Sequence, residues 1–389
     1  MPPSTCDVLI IGAGAHGASL AFHLARRGLK VIVLEKRHIA AGATGRSSGL
    51  VRMHYDLEAE ARLAWEAFQW FRDWKERVGG ECGFTRTGFL QLVPREKVDA
   101  LRANTQMLQR IGVPTFLITA DDVGRLAPAF ATDDFDYAAY EPESGYADPV
   151  LTATSLMEAA RRHGATLIQD CRVTEILVRS GKVYGVQSTK GEFHAPIVVN
   201  AAGAWAVEIC RLAGVDLPLS TWRHEVMYVV RPPALRLSHP TVIDFPNLMY
   251  FRPEGNLTLV GLEDGNPLGE DPEQDTAHAR PGFVERAIDR ICRRIPPMED
   301  AHLHSAHAGY DGLSPDQHPL IGPIGPEGFW LDCGFSGTGF KISPAVGLCL
   351  SEWMLDGTPH TVDITVFHPR RLLEGRHLRG EHHYGDIWL

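Results

Sequence analysis

Residues 7 to 35 restrict the fold of this chain more than any other stretch. An apolar run, Val8-Leu9-Ile10-Ile11, enters the turn Gly12-Ala13-Gly14-Ala15-His16-Gly17. An amphipathic stretch then ends at Gly28, and Val31 to Leu34 closes on Glu35. Strand, glycine turn, helix and strand in that order make a βαβ unit. Gly12 lets the chain leave a buried strand in a tight turn, Gly14 lets backbone amides approach a pyrophosphate, and Gly17 lets the helix lie close on the sheet. The helix N-terminus adds a partial positive charge facing the diphosphate. Glu35, about twenty residues on, stands where a carboxylate accepts hydrogen bonds from ribose hydroxyls. A GxGxxG string alone says little. With both strands and the acid in register, it points to a ligand carrying an ADP moiety.

At 389 residues the chain exceeds the usual size of a single core, so two domains are expected. A hydrophobic share of 44% and a charged share of 22% are those of an ordinary globular protein. The net charge of −10 argues against nucleic acid or an anionic membrane as partner, and Arg293-Arg294 and Arg370-Arg371 read as solvated faces. The N-terminus lacks the charged, apolar and cleavage regions of a secretory signal, and no stretch approaches the ~18 apolar residues of a membrane span. The expectation is a cytoplasmic protein. Seven scattered cysteines, none in a CxxC, suit reduced thiols in the core. His302, His304 and His307 read as polar positions of a strand, so no metal is expected.

Large residues at helical spacing, Leu63, Ala67, Trp70, Phe71 and Trp74, predict a helix over 59–78 whose aromatic stripe belongs to the core. A strand over 88–93 and a surface helix over 96–111 follow, then a short helix over 121–126 capped by Asp121 and stopped before Pro128. A helix over 149–163 leads into strands over 165–169, 173–179, 182–188 and 193–200, with turns at Ser180-Gly181 and Lys190-Gly191. The last strand enters Ala201-Ala202-Gly203-Ala204-Trp205, where small residues let backbone come close to a ligand. The chain thus returns to the nucleotide sheet. Residues 218–303 differ in character, with strands over 225–230, 247–252 and 256–262 and a helix over 281–294, and read as an antiparallel sheet in a separate lobe. A third return comes at 329–333, a strand feeding a glycine-rich loop and a helix that begins near Ser343-Pro344.

These blocks resemble the flavin-dependent amine oxidoreductases of the D-amino-acid oxidase superfamily, in particular sarcosine oxidases, the beta subunit of heterotetrameric sarcosine oxidase, and glycine oxidase. The likeness rests on the N-terminal fingerprint and on TGRSSGLVR at 44–52, VNAAGAW at 199–205, PDQHPLIG at 315–322 and CGFSGTGFK at 333–341, and it spans essentially the whole chain. It implies an α/β Rossmann-like FAD-binding domain of the GR2, glutathione-reductase-like type, built from 1–85, 145–217 and 304–389. An α+β substrate domain with an antiparallel sheet, 86–144 and 218–303, completes the implied fold. FAD rather than NAD is implied. Carried over residue by residue, Gly12, Ala13, Gly14, Ala15, His16 and Gly17 hold the pyrophosphate, Glu35, Lys36 and Arg37 the adenosine ribose, and the Val173 backbone the adenine. Thr44, Gly45, Arg46, Ser47, Ser48, Gly49 and Leu50 lie beside the ribityl chain and ring, and Ala201, Ala202, Gly203 and Trp205 lie along the nucleotide. Gly337, Thr338, Gly339, Phe340 and Lys341 bring amides to the flavin O2/N1 edge, where negative charge develops on reduction.

On the substrate side the resemblance places Arg52 and Lys341 as a two-cation clamp on a carboxylate, with Tyr250 facing the substrate. His54 either touches substrate or is a structural hydrogen-bonder. The implied chemistry is oxidation of the C–N bond of a small secondary or N-methyl amino acid such as sarcosine. A hydride passes to flavin N5, the imine hydrolyses, and O2 accepts the electrons to give H2O2. Suppression of the ammonium pKa by the two cations suffices on this reading, without a dedicated base. The stretch 305–310 holds no cysteine for a covalent flavin bond, so FAD is expected to be noncovalent, with His307 leaving a histidyl link open. No lysine falls in 256–261, where oxidases of this group place one, so oxidase and dehydrogenase both stand. A proline-like or larger N-substituted amino acid is the rival substrate. A flavin subunit of a multi-chain complex is the rival of another class, and either a homo- or a hetero-oligomer is compatible with the reading. Residues 377–389 read as a lid, a dimer contact or a frayed tail.

Overall fold

Alternation of fully apolar strands with amphipathic helices produces a sheet covered on both faces. The computed structural model describes residues 4–235, 238–274 and 276–384. Val8–Ile11 and Val31–Leu34 pair in parallel, every residue of both buried, with the helix Ala15–Arg26 connecting them. Ile197–Asn200 and then Phe329–Cys333 extend the sheet in parallel on one side, Leu320–Pro323 closes that edge antiparallel, and Thr166–Ile168 closes the other. The entry at the N-terminus and the two later returns to the sheet expected from the sequence are all present.

One face of this sheet carries Ala15–Arg26 packed against Pro149–Arg162 and against the long helix Gly339–Asp356. The last crossing is close: a Cβ on Gly347 would stand 2.2 Å from Ser19 Oγ. The other face carries the three-stranded antiparallel sheet Val173–Arg179, Lys182–Ser188 and Gly191–His194, and the helix Ala206–Leu212.

A second, eight-stranded sheet is ordered His302–Leu313, Ser220–Val230, Leu257–Leu262, Met249–Glu254, Thr241–Asp244, Phe89–Leu92, Tyr137–Glu141 and Phe116–Thr119. It is antiparallel except where Thr241–Asp244 runs beside Phe89–Leu92. The helix Pro281–Arg294 covers one face, and Arg294 at its end is enclosed with Asp244 (2.7 Å) and Asp134 (2.8 Å). No helix among the described residues is long and apolar enough to cross a membrane.

Five local expectations are corrected by the structure. Arg294 and Arg371, read as parts of solvated faces, are buried because each is paired with an enclosed carboxylate, Asp244 at 2.7 Å and Asp316 at 2.8 Å. The strand read over 193–200 is two strands in different sheets, because Pro196 has no N–H for a ladder and breaks the run. The helix read over 59–78 divides into Glu58–Arg72 and Trp74–Arg77 at Asp73, which leaves helical geometry (φ −106°, ψ 31°) and binds Arg72. The short helix near 121 is capped by Thr119, whose hydroxyl accepts from Asp122 N at 3.2 Å while the Asp122 carboxylate accepts from Thr119 N at 3.1 Å. The C-terminal helix begins at Gly339, with Pro344 inside it. The Phe340 carbonyl, which a proline four residues on cannot bond, accepts from Ser343 Oγ at 2.8 Å instead.

Gly347 is the contact that holds the two long helices together. Gly347→Leu is expected to destabilise the protein by about 1–3 kcal/mol through overpacking and to lower bound flavin per chain, read from urea unfolding and from visible absorbance relative to 280 nm.

Candidate active site

The carboxyl ends of Val8–Ile11, Ile197–Asn200 and Phe329–Cys333 open onto one elongated cavity of about 680 Å³, at the edge where parallel sheets take ligands. At its nucleotide end Gly12 turns with φ +109°, its absent Cβ only 2.5 Å from Ala201 O. Gly14 precedes the helix without a side-chain cap, so the first-turn amides of His16 and Gly17 have no intrahelical partner, while Ala15 N donates to Thr44 Oγ1 at 3.1 Å. Glu35 accepts from Ala13 N and from Arg37 N, each at 2.8 Å. A carboxylate has capacity beyond two such bonds, so it can still take a ribose hydroxyl. Lys36 and Arg37 both pair with Glu273, and Lys36 Nζ lies 3.6 Å over the Trp205 ring, whose Nε1 also donates to Glu273 at 2.9 Å. A glycine cradle, an open helix N-terminus and a buried acid suit a dinucleotide, with Val173, Ala201, Ala202 and Gly203 lining the same end.

Ala13, Gly17, Gly45 and Gly49 of the expected cofactor set lie outside the lining. Their places are dictated by backbone crossings. A Cβ would meet Gly12 O at 2.1 Å on Gly17, Ala40 O at 2.4 Å on Gly45 and Ala147 O at 2.2 Å on Gly49, while Ala13 is fully buried.

Farther along, Thr44, Arg46, Ser47, Ser48 and Leu50 form one wall and Gly337, Thr338, Gly339, Phe340 and Lys341 another. The Gly337 amide is taken by Asp311 Oδ2 at 2.6 Å, so the donors left for a ligand are the first-turn amides of Gly339, Phe340 and Lys341. Their helix is eighteen residues long and aims its positive end at this wall. His16 stacks on Phe335 at 3.6 Å and places Nδ1 3.3 Å from the enclosed Asp332. His307 lies outside this cavity, against a separate recess on the far side of Arg46.

Beyond this wall the cavity ends among charges. Arg52 is 6% and Lys341 7% exposed; Arg52 stands 4.6 Å and Lys341 5.8 Å from the same Tyr55 ring. Arg52 donates to His54 O, and its Nε has no partner; Lys341 reaches only Thr338 O, at 3.4 Å. Among the described residues neither cation forms an ion pair. Burial, reinforced by Arg52, holds Lys341 well below the usual lysine range. Tyr250 is buried in the same wall, its hydroxyl pushed above the ordinary tyrosine range by desolvation. His54 donates or accepts at Tyr384 Oη (2.6 Å) and is lowered to about 3 by burial and by Arg52, so it is a neutral structural hydrogen-bonder. Residues 377, 378, 379, 380, 383 and 384 also line the cavity, so the described part of the C-terminal stretch covers the substrate end; residues 385–389 lie outside the described residues.

Tyr55, which the sequence reading places with Tyr250 as shaping the choice of substrate, lines this end, and so do several residues that escaped that reading: Glu60, His224, Phe245, Glu263 and His318. Glu60 Oε2 faces His318 Nδ1 at 2.8 Å, and that pairing raises the histidine. Glu141, buried behind Arg52 and pushed to about 7 by desolvation, accepts from Met53 N and Ser144 Oγ. Only Glu263 carried a signal: it closes the apolar run 257–262 as Glu35 closes 31–34.

Known proteins share this architecture. Human mitochondrial sarcosine dehydrogenase is 29% identical over 402 aligned residues, covering 96% of this chain and 43% of that protein, so the chain spans less than half the length of that relative. Sarcosine oxidase subunit beta of an Arthrobacter species is 26% identical, with 98% of this chain and 94% of that protein covered. The crystal structure of L-proline dehydrogenase from P. horikoshii superposes with a TM-score of 0.90 at 28% identity over 97% of this chain and all of that one. The family model described as DAO, FAD dependent oxidoreductase, matches residues 7–353, which take in the glycine cradle, both cations and the C-terminal helix; the chain belongs to that family, and its cofactor is FAD.

Proposed function

We propose that this chain oxidises the C–N bond of a small secondary or N-methyl amino acid of the sarcosine type, with O2 as electron acceptor and H2O2 as product. The observation that carries the reading is the pair Arg52 and Lys341, two buried cations on one aromatic ring with no protein anion bonded to either. Burying a charge without a partner is costly, and a ligand carboxylate supplies the missing anion. Bound FAD supplies the two-electron acceptor for the hydride released from carbon. Arg52 fixes the carboxylate through its guanidinium and Lys341 through its ammonium. The first-turn amides of Gly339, Phe340 and Lys341 face the edge where charge accumulates, and Tyr55, Phe245 and Tyr250 keep water from the reacting carbon. The imine leaves to be hydrolysed in water. In this reading residues 1–85, 145–217 and 304–389 hold FAD, while 86–144 and 218–303 supply the substrate wall.

A second reading is a dehydrogenase for a proline-like or larger N-substituted amino acid that passes electrons to another acceptor or subunit. Two observations favour it: no lysine lies in 256–261, and the protein superposing at TM-score 0.90 is titled L-proline dehydrogenase. Both readings take FAD as noncovalent, supported by the position of His307 outside the cavity.

Anaerobic mixing of the yellow protein with sarcosine, glycine, L-proline or pipecolate is expected to bleach the flavin with sarcosine, and air to restore it rapidly. Slow recovery supports the dehydrogenase reading, and no bleaching by any of the four refutes a small amino-acid substrate. Acid precipitation is expected to leave all flavin in the supernatant; colour in the pellet refutes noncovalent binding. Carboxylate binding favours the ammonium form of Lys341, which the free protein holds depressed, so affinity for a carboxylate is expected to fall as pH rises through that lowered value. Ionisation of Glu263 acts in the same direction. Lys341→Met is expected to weaken carboxylate binding about ten- to a hundred-fold, the loss of one charge-assisted hydrogen bond, and to flatten this pH dependence, both measured by flavin spectral titration.

A further inference from the structure

The cavity holds one charged group for which neither the fold nor the carboxylate clamp provides a role. Glu263 is 2% exposed and lines the cavity with Arg52, Tyr250 and Lys341. Its backbone is held from both sides: its N–H donates to Leu248 O at 2.9 Å, and the adjacent Asp264 is paired with Arg290 at 2.6 Å, which also donates to Leu248 O. Its carboxylate has no such anchor. Every other buried acid of this end has a protein donor: Glu60 has His318, Glu141 has Met53 N and Ser144 Oγ, and Asp311 has the amides of Gly312 and Gly337. Among the described residues no hydrogen bond reaches the Glu263 carboxylate, and its Oε2 is fully enclosed without a partner.

An enclosed acid without a donor beside two enclosed cations without an anion is complementary to a zwitterion. An amino acid presents its ammonium about one bond length beyond the carbon bearing its carboxylate. A carboxylate on Arg52 and Lys341 therefore brings the amine to the same wall as Glu263. The chemistry also requires a proton to leave the ammonium, which has no free electron pair with which to assist hydride loss from carbon, and Glu263 offers an acceptor that the sequence reading did without.

We propose that Glu263 is the catalytic residue that receives the amine proton of the substrate: an oxygen of its carboxylate bonds the ammonium N–H, the N–H bond breaks toward it, and the electron pair stays on nitrogen. The inference deepens the amino-acid reading above and rests on it. The step is a proton transfer with no change of oxidation state. The groups facing Glu263 are Arg52 and Lys341, which favour its ionised form, and Asp264 and Tyr250, which do not. Desolvation dominates and raises its value from 4.5 to about 8, close to the working range in which a general base is most effective. Below that value the free enzyme holds Glu263 neutral, so kcat/KM rises as pH increases through about 8.

The test uses the flavin-loaded full chain and its Glu263→Gln and Glu263→Asp variants, each first checked for unchanged visible absorbance per chain and melting temperature. The rate of anaerobic bleaching is measured against pH with whichever of sarcosine and L-proline bleaches the wild type. Binding of methoxyacetate, which keeps the carboxylate and carries an ether oxygen in place of N–H, is followed by flavin spectral titration. Glu263→Gln is expected to lower kcat/KM about 100-fold or more and to lose the acid limb, while methoxyacetate binds within about twofold of wild type or more tightly. Glu263→Asp, keeping the acid, is expected to recover part of the rate and the limb. A Gln variant that bleaches within about twofold of wild type with its acid limb intact overturns the role of Glu263 and leaves the amino-acid reading standing. If neither amino acid bleaches the wild type, that reading and this inference fall together.

Discussion

The crossing of Ala15–Arg26 with Gly339–Asp356 decides where chemistry can occur in this chain. The two helices are separated by more than three hundred residues, yet Gly347 lets them approach until Ser19 fills the space a Cβ would take. Because the strands before both helices belong to one parallel sheet, both N-termini emerge at its carboxyl edge, and both positive ends face the same cavity. One opens its first-turn amides beside Gly12 and Gly14. The other opens those of Gly339, Phe340 and Lys341 farther along the same cavity. Neither helix alone defines a flavin site; their separation along one cavity does.

The charges at the far end follow from that placement. Lys341 is the third residue of its helix, so the turn that offers amides to the cofactor also carries a cation toward the substrate. Arg52 reaches the same ring from the short strand Leu50–Val51, which Tyr146 and Gly145 hold from the opposite side. Both cations are buried, and low polarity makes each interaction stronger and each missing partner more costly. The buried acids divide accordingly. Glu60, Glu141 and Asp311 each accept at least one hydrogen bond from the protein and shape the walls, whereas the Glu263 carboxylate accepts none among the described residues.

Much of this was legible because it is local. The glycine turn, the acid at 35, the small residues after Asn200 and the glycine loop before Lys341 each encode backbone geometry within a few residues, and the structure brings them to one cavity. What escaped the sequence depends on partners distant in the chain. Pro344 reads as a helix start, yet Ser343 satisfies the vacant carbonyl and the helix begins five residues earlier. The run 193–200 reads as one strand, yet its two halves find different sheets. His54 had two readings until Tyr384, 330 residues away, was seen to bond it. Glu273 clasps Lys36, Arg37 and Trp205 from a loop with no motif at all.

By itself, the sequence determined a parallel nucleotide-binding sheet entered three times, a second lobe rich in antiparallel strands, and two basic residues, Arg52 and Lys341, in motifs of a flavin-dependent family. Periodicity, glycine placement and short spacings carry those features because they are set by backbone sterics and by which face of an element is apolar. Only the tertiary structure decided which charges are left unpaired. Pairing is a matter of distance between side chains from separate strands and helices, and burial sets how much each unpaired group costs. That is why the cations, legible as motifs, gained their meaning from the lack, among the described residues, of any protein anion paired with them, and why Glu263 became visible only once its surroundings were in place.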